Sequence, residues 1–318
     1  MQIIDRPTDC HYIVARISKL LLVVGFTFTL HLSPFTLQAQ DSSYARRIIR
    51  DLSAPEMFGR GMQNRGDSIA AEYLRQELMV NGVKPLTKNY FQYFIFPQTR
   101  TKPPIVRAGY RSQNVCGYIP GETDSMIVFT AHYEHLGMSG DTIFFGAHDN
   151  ASGTAAVLDL ARQLSSQSLS HSATQPLHYT YVFLFFGGEE SGLIGSHYFA
   201  DNPLVKLNKV KLLVNIDLFC GGDEGLMVVN ANARETKPYV DLLEQLNEER
   251  HYAAKIGRRD NAANSDHWYL SQECPAVFLY TLGGPFGGYH SPEDTCEGCG
   301  LGNYMNFMTL LKTFIEHL

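Results

Sequence analysis

Two adjacent carboxylates follow an apolar segment near the middle of the chain. Residues 181–186 are almost all apolar, which is typical of a strand buried on both faces. The chain continues through two glycines to Glu189 and Glu190. Neighbouring side chains in extended backbone point apart, and a carboxylate pair beside a core is unfavourable without a positive partner. We therefore expect one glutamate to bind a cation while the other stays free as a base.

Other residues with metal-binding side chains occur in similar sequence contexts. Four of them follow apolar runs or glycine-containing turns: His132 after 126–130, Asp149 after 144–146, Asp217 after 212–216 and His290 after 276–280. In open α/β sheets, ligands collect at the carboxyl ends of the strands. We therefore expect these four side chains to converge with Glu190, although they are far apart in sequence.

Imidazole nitrogen and carboxylate oxygen are both good zinc ligands. The set suits two zinc ions, with His132 and Asp217 on one ion, Glu190 and His290 on the other, and Asp149 between them. Two metal ions about 3.5–4 Å apart can share a water and lower its pKa. Glu189 would then act as general base, accepting the proton of that water and passing it to the leaving amine.

Each of these residues alone has an ordinary structural explanation, such as a core histidine or a loop-capping aspartate. Their combination at strand ends favours the metal site. Motifs of other enzyme classes are absent: the sequence has no H-E-x-x-H, no nucleophile elbow, no P-loop and no dinucleotide-binding glycine pattern after a strand.

Six segments resemble, in order, the motifs of the co-catalytic zinc aminopeptidases, typified by bacterial leucyl aminopeptidase and aminopeptidase S. Glutamate carboxypeptidase and glutaminyl cyclase are relatives of that family. The segments are 131–137, 146–153, 188–196, 215–217, 265–267 and 289–295. The resemblance runs from about Leu52 to the C-terminus. It implies Glu189 as general base and the same five zinc ligands.

The chain departs from the family pattern at two positions. Glu134 replaces the usual aspartate two residues after His132, and the resemblance implies that it orients His132. His148 stands where an aspartate often precedes Asp149, and we keep Asp149 as the ligand. The resemblance also implies a cis peptide bond after Asp149. Asp266 and Tyr289 are further candidates for contacts with the metal ligands or the substrate, and Tyr289 is expected to help hold the oxyanion of the tetrahedral intermediate.

The implied activity is that of an exported zinc aminopeptidase, which removes N-terminal residues from peptides that have a free N-terminus. One alternative is a glutaminyl-peptide cyclotransferase on a single zinc ion, although that branch prefers tryptophan where this chain has Tyr289. A second alternative is a metal-free binding domain on the same fold, which would be expected to have an incomplete ligand set.

The predicted fold is α/β, a single domain with a mostly parallel central sheet and helices on both faces, as in zinc-dependent exopeptidases of the phosphorylase/hydrolase-like type. Predicted strands alternate with helices, the helices covering 67–79, 154–164, 237–249 and 304–318. The chain has 318 residues, 44% hydrophobic and 18% charged, as is usual for a globular protein. Its net charge of −6 and the absence of a basic run argue against a nucleic-acid partner.

Residues 1–40 are predicted to be a signal peptide, which leaves 41–318 as the catalytic domain. Arg16 and Lys19 precede an apolar run at 20–30, too short for a stable membrane span. Cleavage is expected near 38–40, with export to the periplasm or the extracellular space. The alternative is an uncleaved anchor.

Five cysteines remain after the signal peptide. Cys296 and Cys299 are close in sequence, and we favour a disulfide between them over a redox pair or two free thiols. A zinc ribbon would need a second such pair, which the sequence lacks.

Overall fold

The computed structural model describes residues 42–96, 109–170, 176–284 and 288–318. The predicted signal peptide at 1–40 lies outside these residues. Among the helices in the described ranges, none combines the length and apolar character that crossing a membrane requires.

The described part of the chain is built on a nine-stranded mixed sheet. The eleven strands of the described residues, two of which lie outside this sheet, are β1 (Lys84–Pro85), β2 (Phe91–Ile95), β3 (Arg111–Ile119), β4 (Met126–His132), β5 (Met138–Ser139), β6 (Thr142–Ile143), β7 (Thr180–Phe186), β8 (Val210–Ile216), β9 (Gly225–Val229), β10 (Ile256–Arg259) and β11 (Ala276–Leu282). The order across the sheet is β1-β3-β7-β4-β8-β11-β9-β10, and β2 also pairs with β3. Strands β5 and β6 form a separate hairpin.

The four central strands confirm the predicted parallel sheet. β7, β4, β8 and β11 are parallel to their neighbours within this group. The flanks are antiparallel, because β3 pairs in the opposite direction with β7 and β9 does so with β11. His132, the last residue of β4, lies opposite Phe186, the last residue of β7. The segments that leave these two strands therefore start side by side.

Seven α-helices cover the sheet in the described ranges: α1 (Ser43–Leu52), α2 (Gly66–Val80), α3 (Gly153–Ser170), α4 (Ile194–Asp201), α5 (Lys237–Arg250), α6 (His267–Leu270) and α7 (Tyr304–Glu316). The four predicted helices correspond to α2, α3, α5 and α7. Side chains of α1, α2, α3, α5 and α7 join the core on one face, whereas α4 and α6 contribute to the core on the other. Helices on both faces are therefore confirmed.

Strand β4 shows how packing on both faces of the sheet fixes the positions of the strand ends. All seven of its residues are buried. Ile127 and Phe129 point into one core cluster, whereas Met126 and Val128 point into the other. Burying a large aliphatic or aromatic side chain contributes about 1.5–3 kcal/mol, so both faces of the strand fix its position.

The disulfide prediction was wrong in its pairing. Cys299 bonds to Cys220, 79 residues away in sequence, with their Cα atoms 5.2 Å apart, and Cys296 is free. The cause is the fold, because the main-chain N–H of Gly221 donates to the carbonyl of Gly300 at 2.7 Å and brings the two loops together. Proximity in sequence was a poor guide here.

Candidate metal centre

The first half of the site lies at the ends of two adjacent parallel strands. His132 ends β4, and Asp217 directly follows β8. The Nε2 atom of His132 lies 3.3 Å from Oδ1 of Asp217. The two side chains are 1% and 7% exposed, so this half is enclosed by protein.

Asp149 lies between the two halves. It belongs to the turn Ala147–Ser152, immediately before α3. Its Oδ1 atom is 3.2 Å from Nε2 of His132, and its Oδ2 atom is 3.1 Å from Nε2 of His290. The Asp149–Asn150 peptide bond is cis, as the resemblance implied. The side-chain amide of Asn150 donates to the main-chain carbonyl of Ile216 at 3.0 Å, which connects this turn to the end of β8.

The second half of the site is carried by loops. Glu190 follows β7, and its Oε2 atom lies 3.1 Å from Nε2 of His290. His290 lies between β11 and α7, and its side chain is 38% exposed. The carbonyl of the neighbouring Glu189 accepts main-chain bonds from Gly192 and Leu193 at 2.7 and 2.8 Å, which form a tight turn here. The structure therefore brings together all five side chains of the predicted ligand set.

His135 belongs to the same cluster, although the sequence analysis gave it no role. It is fully buried, and its Nδ1 atom lies 2.8 Å from Oε1 of Glu190. Within the described residues, two groups have the spacing to hold a cation: His132, Asp149 and Asp217, and His135, Asp149 and Glu190. The sequence signal that could have identified His135 was its position three residues after His132, in the same motif.

Gly146 makes room for this imidazole. Its φ is +61°, and a β-carbon at this position would lie 2.5 Å from the ring of His135 and 2.3 Å from the carbonyl oxygen of Asp149. Only glycine therefore fits the turn that presents Asp149 without displacing His135.

A chain of hydrogen bonds orients Asp217. Ser265 donates its hydroxyl to Oδ2 of Asp217 at 2.8 Å, and the amide of Asn215 donates to that hydroxyl oxygen at 2.8 Å. Because Oδ2 is engaged, Oδ1 is the oxygen that faces His132. Partners of this kind fix the direction of a metal ligand.

The position of Glu134 differs from the expectation. The Nδ1–H group of His132 donates to the main-chain carbonyl of Glu134 at 3.2 Å, whereas the Glu134 carboxylate accepts the N–H of Glu190 at 3.1 Å. Burial raises the pKa of the Glu134 carboxyl to about 8, with His132 lowering it and Glu190 raising it. The bond at Nδ1 leaves Nε2 of His132 as the atom that faces the carboxylates.

The remaining candidates lie around this cluster. Asp266 is fully buried just before α6, and within the described residues no donor meets hydrogen-bond geometry at its oxygens. Burial raises its pKa to about 7. Tyr289 is exposed and stacks on His290, with ring centroids 3.9 Å apart. His148 accepts the N–H of Cys220 at 3.2 Å and belongs to neither candidate group.

The charges of the cluster favour a cation. Burial lowers the pKa of His290, but its hydrogen bonds with Asp149 and Glu190 dominate and raise that pKa to about 10. Burial raises the pKa of Glu189 well above its usual value, and the charge of Glu190 adds to this rise. The excess of carboxylates stabilises positive charge, which a divalent ion would supply. The donor set of imidazoles and carboxylates therefore fits zinc.

Solved structures share this fold. A leucine aminopeptidase precursor from Bacteroides thetaiotaomicron matches with a TM-score of 0.68 and 16% identity, over 86% of this chain and 96% of that chain. A glutaminyl cyclase from Tannerella forsythia also matches with a TM-score of 0.68, at 19% identity, over 86% of this chain and 98% of that chain. The fold is thus that of the zinc-dependent exopeptidases and accommodates both activities.

The chain belongs to peptidase family M28, whose sequence profile matches residues 114–315. A similar curated relative is a probable leucine aminopeptidase from Trichophyton verrucosum, 25% identical over 202 residues, which are 62% of this chain and 55% of that protein. The chain therefore spans about half the length of the curated relatives that it matches.

Proposed function

We propose that this chain is a zinc-dependent aminopeptidase with two metal ions. His132 and Asp217 would hold one ion, and Glu190 and His290 the other. The observation that carries the proposal is the position of Asp149, whose two oxygens face the two halves separately, at 3.2 Å and 3.1 Å from the imidazoles. A carboxylate in this position suits a ligand shared by two ions.

When bound, zinc polarises the scissile carbonyl and lowers the pKa of the attacking water. Glu189 accepts the proton of that water as general base and passes it to the leaving amine. Its raised pKa matches this role, because burial makes the carboxylate a stronger base than an exposed glutamate. Tyr289 lies beside His290, where its hydroxyl group would stabilise the oxyanion.

The proposed substrates are peptides with a free N-terminus. Membership of family M28 and the similarity to the Trichophyton relative support this class of substrate. The test is a panel of aminoacyl-fluorophores, run with zinc counted per chain. Release of the fluorophore with two zinc ions per chain is the expected result.

The cyclotransferase is the second candidate function, because a glutaminyl cyclase matches this fold with the same TM-score as the aminopeptidase precursor. A glutaminyl-peptide substrate belongs in the same panel. Cyclisation without fluorophore release, with one zinc ion per chain, would replace the proposal. A protein that binds no zinc would instead favour the metal-free binding domain.

We also propose that the protein is exported, with residues 1–40 as its signal peptide. The apolar run near the N-terminus supports this, and the Cys220–Cys299 disulfide suits an oxidising compartment. N-terminal sequencing of the protein recovered from the periplasm or the medium should begin close to residue 41. An intact N-terminus on membrane-bound protein would favour the anchor.

A further inference from the structure

The turn that carries Asp149 is held on one side by a buried arginine. Arg60 is 0% exposed, and its guanidinium donates to the carbonyls of Phe145 and Gly146 at 2.7 Å each and of Asp149 at 3.3 Å. Two further bonds reach the carbonyls of Tyr133 and Leu52 at 2.7 and 2.8 Å. All five hydrogen bonds are to main-chain oxygens, so Arg60 holds the backbone of these segments in position.

A buried carboxylate holds the same turn by its N–H groups. Asp294 is 6% exposed, and its two oxygens accept the main-chain N–H groups of His148 at 2.7 Å and Asp149 at 3.0 Å. The carbonyl of Asp294 also accepts the N–H of Ala147 at 3.1 Å. Arg60 therefore binds the carbonyls of this turn and Asp294 binds its amides.

The two side chains also link the turn to the other ligands. Arg60 contacts Tyr133, the neighbour of His132, and its own carbonyl accepts the N–H of His135 at 3.4 Å. Asp294 follows His290 by four residues in the same loop. Because both charged groups bind the backbone, the side-chain oxygens of Asp149 stay available to the two imidazoles.

We propose that Arg60 and Asp294 are positioning residues that fix Asp149 between the two halves of the metal centre and thereby set the zinc affinity. The inference rests on the proposed role of Asp149 as the shared ligand. A guanidinium presents five N–H donors in a fixed fork, and a lysine ammonium has only three. An asparagine at 294 would present an NH₂ group to a backbone N–H, which cannot accept it. Each substitution therefore loosens the turn without touching a ligand.

The experiment compares Arg60→Lys and Asp294→Asn with two matched controls. Arg46→Lys alters another arginine that donates to main-chain carbonyls, those of Cys296 and Cys299. Asp67→Asn alters another buried carboxylate, which accepts hydrogen bonds from Ser112 and other donors. For each metal-free variant, zinc affinity is measured by competition with a chromophoric chelator, and thermal stability by circular dichroism. Visible spectra of the cobalt-loaded proteins report ligand geometry.

We expect zinc affinity to fall by about 10–100-fold in both positioning variants, the usual effect of losing the group that orients a ligand. Their cobalt spectra should change as well. The controls should lose thermal stability but keep the wild-type zinc affinity and cobalt spectrum. Wild-type zinc affinity in the positioning variants, with only a lower melting temperature, would overturn the inference.

One further variant keeps the outcome decisive. Asp149→Ala tests the premise, because retention of both zinc ions in that variant would refute the proposed metal site itself. Loss of zinc in Asp149→Ala with normal affinity in Asp294→Asn would refute only the positioning role. If Arg60→Lys does not fold, Asp294→Asn decides alone, since it exchanges a single oxygen for an NH₂ group.

Discussion

The two halves of the candidate metal centre are built in different ways. His132 and Asp217 stand at the ends of neighbouring strands that are buried on both faces, and their side chains are 1% and 7% exposed. Glu190 and His290 stand on loops, and the His290 side chain is 38% exposed. The sheet therefore fixes the first half, whereas the second half depends on contacts between loops.

This difference would suit the proposed two-ion hydrolase, with the substrate approaching from the open side. Tyr289 stacks on His290 at the exposed edge, so a peptide entering there would meet the loop-borne half first. The enclosed half has its Asp217 oriented by Ser265, whereas Glu190 of the open half is contacted by His135. Each half can therefore be disturbed separately.

The largest expected effect comes from a change that leaves both halves intact. Glu189→Gln should keep both zinc ions and lose about 10²–10⁴-fold in turnover, because the amide preserves shape and cannot accept a proton. The measurements are steady-state rates on an aminoacyl-fluorophore and zinc content per chain. Near-normal turnover in the zinc-loaded variant would remove Glu189 from its proposed role.

Substitution of the ligands should separate the halves. We expect Glu190→Ala and His290→Ala each to lower zinc content by about one ion per chain, because three protein ligands are the usual minimum for a zinc site. Asp149→Ala should weaken both sites. Zinc analysis of the purified variants after dialysis checks this. Full zinc occupancy in Glu190→Ala or His290→Ala would place the second ion elsewhere.

The enclosed half was the easier one to predict from sequence. Long apolar runs identify buried strands, and parallel strands must end at the same edge, so His132 and Asp217 could be placed together without any tertiary information. For Asp149 the pattern was weaker because residues 144–146 lie outside any strand, and for His290 it was weaker because this residue lies in a loop beyond the end of β11. Both ligands were nevertheless proposed from this pattern, and the motif resemblance then implied the same two residues.

What the sequence missed depends on loops that meet in space. Three such contacts join segments that are distant in sequence: the Cys220–Cys299 disulfide, the contact of His135 with Glu190, and the hydrogen bonds from Arg60 to main-chain carbonyls. Main-chain contacts leave no periodic pattern in a sequence. The antiparallel direction of β3 and β9 escaped prediction for a related reason, since apolar runs do not encode strand direction.

A matched pair of substitutions sharpens the comparison between halves. Ser265→Ala removes the donor that holds Asp217, and His135→Phe removes the imidazole that contacts Glu190. Each substitution should lower the affinity for one of the two proposed zinc ions by about 10–100-fold. To learn which ion each substitution affects, both are repeated in the His290→Ala variant, which is expected to keep only the zinc ion of the enclosed half. In that variant, chelator competition should show a lower zinc affinity with Ser265→Ala and an unchanged zinc affinity with His135→Phe. The reverse pattern would contradict the assignment.

The smallest expected effect concerns the metal-free protein and its pH dependence. The carboxylates around His290 raise its pKa from 6.5 to about 10. A histidine whose pKa is higher in the folded state stabilises that state fully below pH 6.5, and this contribution is lost as the pH rises through about 10. The urea midpoint of the chelator-treated protein should therefore fall between pH 7 and pH 10, and His290→Ala should show a shallower fall. The enclosed half supplies the control, because His132 remains intact in this variant and its own raised pKa still contributes to the pH dependence of stability. If the wild type and His290→Ala lost stability equally over this range, His290 would not be the group whose positive charge stabilises the carboxylates of the open half.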